Sequence, residues 1–360
     1  MRTIVVWFGL LLWAVSCSDR RPDDPLKAFD RVREVSWELD RGLPTDSLGN
    51  PEFLHAAGGR LIFVEPNADR MLQIYDPASG AVVRMQPRGN GGNELANIHQ
   101  IGTFPSDSGD AFYLFDLFTR KIFIYRLSGG AFVLTDKRQA PESINTFSFL
   151  SSDRMFGCAS EGSRYARFDT TGRTDCRLGD YKAFGLTIPV GSGLLQGLSL
   201  AVPSPEGGER YAWFSFYGAG FQIVESAPDS CRIIADVLYK LPVFEVHTTP
   251  SNVEYSTFRQ QTEIGYPAVT TDGTYIYALY NGHTLAEIIV NRDLAWQSRH
   301  VCVYDWEGRP VLLLNSDCDL RTLAYDEVSG RLYALGMTPE GMYELRYLET
   351  AALPGIRTGN

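Results

Sequence analysis

The chain has 360 residues, with 33 Lys and Arg against 43 Asp and Glu, which gives a formal net charge of −10. This acidic balance leaves no basic excess to neutralise phosphates, so it argues against a nucleic-acid-binding protein. Hydrophobic residues (44%) and aromatic residues (12%) are numerous enough to bury a large core, which excludes a wholly disordered chain, while 34 Gly and 19 Pro imply many short elements separated by turns. We therefore predict an all-β fold.

The N-terminus has the features of an export signal. Residues 1–3 form a short, positively charged stretch. Residues 4–15 form an apolar run that is too short to cross a bilayer as a helix. The run ends in Ala14-Val15-Ser16-Cys17, which resembles the lipobox of bacterial lipoproteins. The resemblance implies that residues 1–16 are a signal peptide and that Cys17 carries diacylglycerol on its thiol. An ordinary signal peptide with an incidental cysteine is the alternative.

Residues 17–30 are predicted to be a flexible tether, because the stretch after Cys17 is polar and broken by prolines. The mature chain would keep 32 basic and 43 acidic residues, a net charge of −11, so we expect acyl chains rather than attraction to anionic lipids to hold it on the membrane. We predict a protein of the bacterial cell envelope. Ser18 in the second mature position favours the outer membrane, on its periplasmic side or at the cell surface.

The rest of the chain repeats one unit of short strands. Turns with an aromatic residue, Asp and Gly recur, as in residues 75–80, 168–172 and 304–308, where the Asp side chain bonds the turn backbone and Gly allows it to close. Period-2 alternation predicts five sets of four strands. These are 53–57, 61–65, 72–75, 81–85; 98–104, 112–115, 122–125, 132–135; 145–150, 155–159, 165–168, 175–178; 195–202, 211–216, 221–225, 233–238; and 268–271, 275–280, 301–304, 311–314.

The last set has only three predicted strands, at residues 322–326, 331–335 and 343–348. Residues 34–40 alternate polar and apolar side chains and supply the missing strand from the other end of the chain. Joining the two ends closes a ring and removes an open sheet edge. We therefore predict a six-bladed β-propeller over residues 31–349, closed by the N-terminal strand, with a C-terminal tail at 350–360.

This blade pattern, the lipobox and the stretch Arg88-Gly89-Asn90-Gly91-Gly92-Asn93-Glu94-Leu95 together resemble the TolB-like or NHL-like six-bladed propeller lipoproteins of Bacteroidota. Members often carry Gly-x-Gly-Pro-x-Glu there, and this chain has Gly92 in the proline position. The resemblance implies a fold but no established reaction. The stretch is not a dinucleotide fingerprint, because Glu94 stands where the last Gly is needed. We interpret it as a turn between blades in which Glu94 bonds backbone N–H groups.

Five cysteines remain after Cys17, an odd number that weakens a disulfide framework. Cys158 and Cys176 lie on strands that flank a third, so they should be about 9–10 Å apart, too far for a bond. Cys302 and Cys318 are out of register, and Cys231 has no evident partner. We predict buried free thiols.

Four long segments of the chain fall at positions that emerge on one face of a propeller. They are residues 87–97, 179–194, 242–267 and 281–299, all either connections between blades or links between second and third strands. Loops held by a rigid scaffold often carry function. The segment 242–267 is longer than plain connections usually are, and we expect it to cover the channel mouth.

An arginine recurs beside that rim, just before or at the third strand of several sets. One interpretation is a ring of guanidinium groups for a polar ligand. The alternative is a set of ion pairs within blades, to Asp69, Asp116 and Glu161. The candidate ligand-binding residues are Arg70, Arg88, Glu94, Asp116, Arg120, Arg164, His247, Tyr255, Arg259, His283 and Arg299.

No nucleophile–base pair, paired carboxylates or metal-ligand spacing stands out in the sequence. The leading hypothesis is a non-catalytic, monomeric binding module without cofactor, whose loop-rich face takes a peptide, a protein partner or an oligosaccharide. The alternative is a metal-dependent lyase or hydrolase at the channel mouth. There His55 and His99 on inner strands would converge with His247 on a divalent metal ion.

Overall fold

The computed structural model describes residues 23–353 apart from 45–46, 143, 160–162, 180–196, 205–207, 251–253 and 339. The chain is all-β, with sheets in a propeller-like arrangement, as the alternating apolar pattern predicts. The predicted signal peptide, Cys17 and the C-terminal residues 354–360 lie outside the described residues. Within the described part, no helix is long and apolar enough to cross a membrane.

The described helices are few and short. The α-helix α1 is Leu285–Val290, and 3-10 helices cover Pro25–Ala28, Arg292–Trp296 and Thr350–Ala352. The strands in chain order are β1 (Val32–Val35), β2 (Glu38–Leu39), β3 (Phe53–Ala57), β4 (Arg60–Val64), β5 (Arg70–Tyr75), β6 (Val82–Pro87), β7 (Gln100–Thr103), β8 (Ala111–Asp116), β9 (Lys121–Ser128), β10 (Ala131–Gln139), β11 (Ile144–Ser151), β12 (Arg154–Ala159), β13 (Tyr165–Asp169), β14 (Thr174–Leu178), β15 (Gly197–Pro203), β16 (Glu209–Ser215), β17 (Ala219–Ala227), β18 (Ser230–Lys240), β19 (Phe244–Thr248), β20 (Glu254–Phe258), β21 (Ala268–Thr271), β22 (Tyr275–Tyr280), β23 (Ser298–Asp305), β24 (Pro310–Asp326), β25 (Arg331–Met337) and β26 (Tyr343–Glu349).

The described strands form four four-stranded antiparallel sheets, β3–β6, β7–β10, β11–β14 and β15–β18. A fifth sheet has eight strands, in the order β2-β26-β25-β24-β23-β22-β21, with β1 paired to β24. The strands β19 and β20 form a separate hairpin. Six strands contact one another in cyclic order, from β3 through β7, β11, β15, β21 and β24 back to β3. The first four are the first or last strands of the four-stranded sheets, and β21 and β24 belong to the eight-stranded sheet. Clusters of buried hydrophobic side chains fill the spaces between neighbouring sheets.

The eight-stranded sheet differs from the prediction of six separate four-stranded sets. The predicted strands 311–314 and 322–326 are parts of one long strand, β24, rather than two strands joined by a loop. β1 pairs in parallel with Leu313–Ser316, so the first residues of the predicted break belong to the sheet. The first half of β24 therefore pairs with β23, and its second half pairs with β25.

The eight-stranded sheet is nevertheless sharply bent. β21 and β24 are separated by two strands and would lie about 14 Å apart in a flat sheet. Instead Tyr325 N donates a hydrogen bond to Thr270 Oγ1 (3.0 Å), and the rings of Tyr277 and Tyr325 stack with centroids 6.3 Å apart. The two halves of this sheet thus face each other across a core of their own.

The N-terminal segment joins the C-terminal strand, as predicted from residues 34–40. Glu38 pairs with Tyr347 and Leu39 with Arg346 in antiparallel register. Trp37 is buried next to this pair, and its carbonyl accepts a hydrogen bond from Arg346 Nη1 (3.1 Å). The two ends of the described chain are therefore held together in one sheet.

The prediction of free cysteines is wrong for one pair. Cys176 on β14 and Cys231 on β18 are joined by a disulfide, with Cα atoms 6.5 Å apart. The prediction compared spacings only within one sheet, whereas this bond joins the outer strands of two neighbouring sheets. Cys158 and Cys302 are buried free thiols as predicted, and Cys318 is a half-buried free thiol.

Candidate binding site

Two of the long segments predicted on one face meet in the structure. The segment 242–267 contains the β19–β20 hairpin, and the segment 281–299 contains α1. They are hydrogen-bonded through their backbones, from Ile264 N to His283 O (2.9 Å), Leu285 N to Thr262 O (2.8 Å) and Ala286 N to Gln260 O (2.9 Å). The prediction that insertions gather on one face is confirmed for this pair.

The same segment also packs on the link between β16 and β17. Gly265 N donates to Phe216 O (2.7 Å), and a Cβ on Gly265 would lie 1.9 Å from the carbonyl oxygen of Gly218. Only glycine permits this approach of two backbones. The rings of Tyr217 and Phe258 pack beside it with centroids 4.0 Å apart, which fixes the base of the hairpin.

Local sequence explains how α1 begins. Thr284 is the N-cap of the helix, and its hydroxyl oxygen accepts a hydrogen bond from Glu287 N while Glu287 accepts one from Thr284 N (2.7 Å). This reciprocal pair is a capping box, which satisfies two backbone N–H groups that a helix start leaves unbonded. His283, just before the cap, is thereby held at the edge of a pocket.

That pocket, which we call the rim pocket, lies between the segment 281–299, the end of β18 and the fifth sheet, and has a volume of about 370 Å³. Its size is within the range of small-molecule sites. The N-terminal 3-10 helix forms one wall. The lining residues are Asp24, Leu26, Lys240, Tyr280, Asn281, Gly282, His283, Gln297, Ser298, Arg299, His300 and Asp319.

The cations of the rim pocket are matched by carboxylates. Lys240 Nζ lies 2.8 Å from both carboxylate oxygens of Glu263, which also accepts a hydrogen bond from Tyr280 Oη (3.0 Å). Arg299 Nε lies 2.6 Å from Asp319 Oδ1. Burial, with the Glu263 charge, raises the pKa of Tyr280, so this phenol stays protonated. The pocket therefore offers polar groups with little net charge.

The histidines of the pocket lie beside other polar side chains. His300 Nδ1 is 3.0 Å from Asn315 Oδ1, and Asn315 in turn donates to Glu34 (2.7 Å). His283 Nδ1 lies 3.9 Å from a carboxylate oxygen of Glu287. The Ser298 hydroxyl donates to the Tyr280 carbonyl, so its proton is directed at backbone rather than at a histidine. This arrangement suits hydrogen bonding to a ligand better than activation of a nucleophile.

The predicted rim residues occupy different environments. Arg70 and Arg88 are exposed. Arg120, at a positive φ of 58°, donates to the carbonyls of Pro141 and Ile144 in the next sheet. Arg164 is buried, with its guanidinium 4.4 Å from the ring centroid of Trp213 in the fourth sheet. Arg120 and Arg164 thus bridge neighbouring sheets, a role that neither sequence interpretation included.

The two predicted acidic residues bind backbone. Asp116 is fully buried and accepts from the N–H groups of Ala96 (2.7 Å) and Phe118 (2.9 Å), among others. Glu94 Oε2 accepts from Gly91 N (2.8 Å), which confirms its predicted place in the turn. Glu161 lies outside the described residues. The ion pair predicted between Arg120 and Asp116 is therefore replaced by separate backbone contacts of each residue.

Three candidates lie on or beside the hairpin. His247 Nε2 is 2.8 Å from Thr257 Oγ1, and Arg259 pairs with Glu245. Tyr255 is opposite His247 in the strand register. Of the predicted residues, the structure brings His283 and Arg299 into the rim pocket, and their role in binding stays a prediction.

The proposed metal ligands do not converge. Among the described residues, no group of three or more His, Cys, Asp or Glu side chains is placed to hold an ion. His55 packs beside Phe112 and His99 beside Phe115, with ring centroids 6.5 and 6.4 Å apart, while His247 lies in the hairpin. Burial lowers the pKa of His55 to about 4 and also lowers that of His99.

Of the ten described polar residues that line the rim pocket, sequence reasoning named only His283 and Arg299 as candidates. Lys240 and Glu263 stand at the two ends of the long segment, 23 residues apart, and their pairing could have been suspected from that placement alone. Ser298, His300 and Asp319 carry no motif. They meet only because β23 and β24 lie side by side.

No protein-family profile matches the chain, and no curated protein matches it. Among solved structures, a candidate exported protein from Bacteroides fragilis NCTC 9343 aligns with a TM-score of 0.51 and 10% identity, over 88% of this chain and 99% of that one. The β-propeller domain of Cps50 (Swd1) from Myceliophteria thermophila aligns over 84% of this chain and 98% of its own, at 12% identity, with a TM-score of 0.44 that is too low to bear on the fold. The first likeness concerns the fold alone.

Proposed function

We propose that this chain is a binding module of the bacterial envelope whose rim pocket takes an uncharged polar segment of an oligosaccharide. The observation that carries the proposal is the rim pocket itself. The segment 281–299, the N-terminal 3-10 helix, the end of β18 and the fifth sheet form a cavity whose cations are already paired, Lys240 with Glu263 and Arg299 with Asp319. Matched charges favour a neutral ligand over an anionic one, since an added anion would have to displace a carboxylate. A peptide or protein partner is the alternative ligand, and failure of every oligosaccharide in the test to bind would favour it.

We further propose that the fold is a six-bladed propeller, in which the eight-stranded sheet counts as two blades that share β24. Its support is the cyclic contact order of six inner strands and the hydrogen bond between Thr270 and Tyr325 across the bend. The pairing of β2 with β26 supports closure by the N-terminal strand. In this proposal the domain spans residues 31–349 and acts as a monomer.

Export and anchoring are the last part of the proposal. The lipobox-like sequence before Cys17 supports a lipid anchor, and the likeness to a candidate exported protein agrees with a place outside the cytoplasm. Residues 1–16 are then the signal peptide, with the outer membrane as the proposed location. The tether runs from Cys17 to the 3-10 helix at Pro25, shorter than the predicted 17–30, because Phe29 packs on Tyr304. The kinship with TolB-like or NHL-like lipoproteins of Bacteroidota belongs to this proposal as well.

The test is calorimetric titration of the purified chain with neutral hexasaccharides of several linkages and with one uronic-acid oligomer. A neutral oligosaccharide should bind, and the double variant H283A/R299A should weaken its binding at least about tenfold, or roughly 1.4 kcal/mol. The matched control is R309A, because Arg309 forms the same kind of ion pair with Asp305 (2.6 Å) at the opposite end of the same strands. Binding of the acidic oligomer alone, or equal effects of both variants, would contradict the proposal.

A further inference from the structure

Exposed apolar side chains are concentrated on the two insertions. Among the described residues, five of the thirteen exposed large hydrophobic side chains lie between residues 241 and 290. Val290, the last residue of α1, is 88% exposed. Single exposed hydrophobic residues are ordinary, but a group on adjoining segments marks a contact surface. The group, called the apolar patch below, is Leu241, Val243, Val246, Ile289 and Val290.

The two insertions that carry the patch are directly connected. The Thr262 hydroxyl donates to Val243 O (2.6 Å) and accepts from Val243 N (3.0 Å). The carbonyl of Thr262 accepts from Leu285 N at the start of α1 (2.8 Å). The backbone around Val243 is therefore joined through Thr262 to the first residue of the helix that ends at Val290.

The N-terminal tether reaches the protein at this same surface. Asp24 and Leu26 line the rim pocket together with Lys240, which directly precedes Leu241 of the patch. Phe29 then anchors the segment in the core, with its ring 5.3 Å from that of Tyr304. Six residues lie between Cys17 and Asp24, and an extended chain of that length spans at most about 25 Å.

We propose that the apolar patch rests in the interfacial layer of the membrane to which Cys17 is attached. This inference rests on the lipid anchor of the proposed function. A tether of this length keeps Asp24, which shares the rim pocket with the neighbour of Leu241, within about 25 Å of the bilayer surface, so a lipid surface is always close to this side of the protein.

The charges around the patch indicate which lipid is needed. Lys240 is paired with Glu263 and Arg259 with Glu245, so these two cations near the patch are already neutralised. The whole mature chain is acidic. We therefore expect insertion to be apolar, to occur on zwitterionic phosphatidylcholine, and to be insensitive to salt.

The experiment uses the full chain, produced in a bacterium that processes lipoproteins, and reconstituted in phosphatidylcholine vesicles with brominated acyl chains. Brominated chains quench tryptophan fluorescence at short range. The variants are V290W in the patch and V328W as the matched control. Val328 is 73% exposed and lies in the turn between β24 and β25, at the opposite end of the strands from the insertions.

The added tryptophan of V290W should lose fluorescence in brominated relative to unbrominated vesicles, with no recovery in high salt, while that of V328W should not. A second patch variant, V246W, guards against a local disturbance at the helix end. Quenching of neither patch variant, in a protein shown by mass to be lipidated, overturns the docking but leaves the anchor intact. A chain without lipid on Cys17 overturns the anchor and with it this inference. Self-association that depends on the patch would instead assign it to a second copy.

Discussion

Asp116 and Arg120 illustrate how the same residue types serve a ligand or the scaffold. Both were predicted at the rim, yet Asp116 holds two backbone turns and Arg120 bonds carbonyls of the next sheet. In the sequence, an Asp whose carboxylate accepts hydrogen bonds from several backbone N–H groups cannot be distinguished from the Asp of any other aromatic-Asp turn. Burial distinguishes the two uses, and burial depends on neighbouring sheets that no local pattern specifies.

His55 should make the protein less stable in mild acid. Burial lowers the pKa of this histidine from 6.5 to about 4, so between these values the unfolded chain binds a proton that the folded chain does not. The free energy of unfolding should therefore fall as the pH drops from 6.5 towards 4, by about 3 kcal/mol at most from this residue, and its contribution should change little below that. Urea titrations across this range measure the slope.

The variant H55L isolates that contribution, because leucine cannot take up the proton. Its stability should fall less steeply with decreasing pH than that of the parent. The residual slope includes His99, whose pKa is also lowered by burial. The control H247L, altered at a half-exposed site in the hairpin, should retain the parent slope. Parallel curves for H55L and the parent would refute the assignment.

At the scale of elements, the disulfide joins the third and fourth sheets at their outermost strands. Side-chain alternation predicted β14 and β18 correctly, but not that their outer edges come within bonding distance. That approach depends on the angle between sheets, which is set by packing of large side chains such as Trp213 and Tyr165 between them. The alternation of side chains along a strand does not specify the angle between two sheets.

Removing this bond should destabilise the protein measurably. The bonded cysteines are 55 residues apart, and a loop of this size corresponds to about 4 kcal/mol in the chain-entropy model. The double variant C176S/C231S should therefore melt well below the parent, while C318S, which removes a free thiol, should melt close to it. Peptide mapping without reductant tests the premise: a parent protein with two free thiols at these positions would contradict it.

For the strand β24, the sequence predicted the two ends but not that they belong to one continuous strand. Both ends of this strand were predicted from alternation, at residues 311–314 and 322–326. The residues between them, including Ser316 and Asp317, are polar and were left as a connection. Parallel pairing with β1 extends the strand through Asn315 and Ser316, and a local pattern cannot show a partner from the far end of the chain.

At the scale of the whole molecule, the junction of the chain ends should control stability. Trp37 is buried between β2 and the last strands, and its replacement in W37A should cost about 3–5 kcal/mol. If Trp37 holds the two chain ends together, the W37A variant should also release residues 38–41 from the last strand. Trypsin should then cleave the variant at Arg41. The control W306A removes a tryptophan that is equally buried elsewhere, and it should lose stability without that cleavage. Equal cleavage in both variants would argue against a closing role.

The all-β class, most strands and the meeting of the chain ends were predictable, because each depends on alternation or on an unpaired edge. The gathering of two insertions on one face was predictable from strand direction alone. The rim pocket was not, apart from His283 and Arg299. Its other polar groups, such as Lys240 and Asp319, converge from distant positions through the sheet geometry.

The way the N-terminal segment is attached also determines how the molecule bears mechanical load. A force applied to the tether would first act on the 3-10 helix at Pro25 and on the packing of Phe29 against Tyr304. It next meets the four residue pairs that β1 makes alongside β24, before it reaches the strand that joins the chain ends. Force applied through a membrane anchor would therefore be spread into the longest strand of the molecule, and the closing pair would be shielded from it.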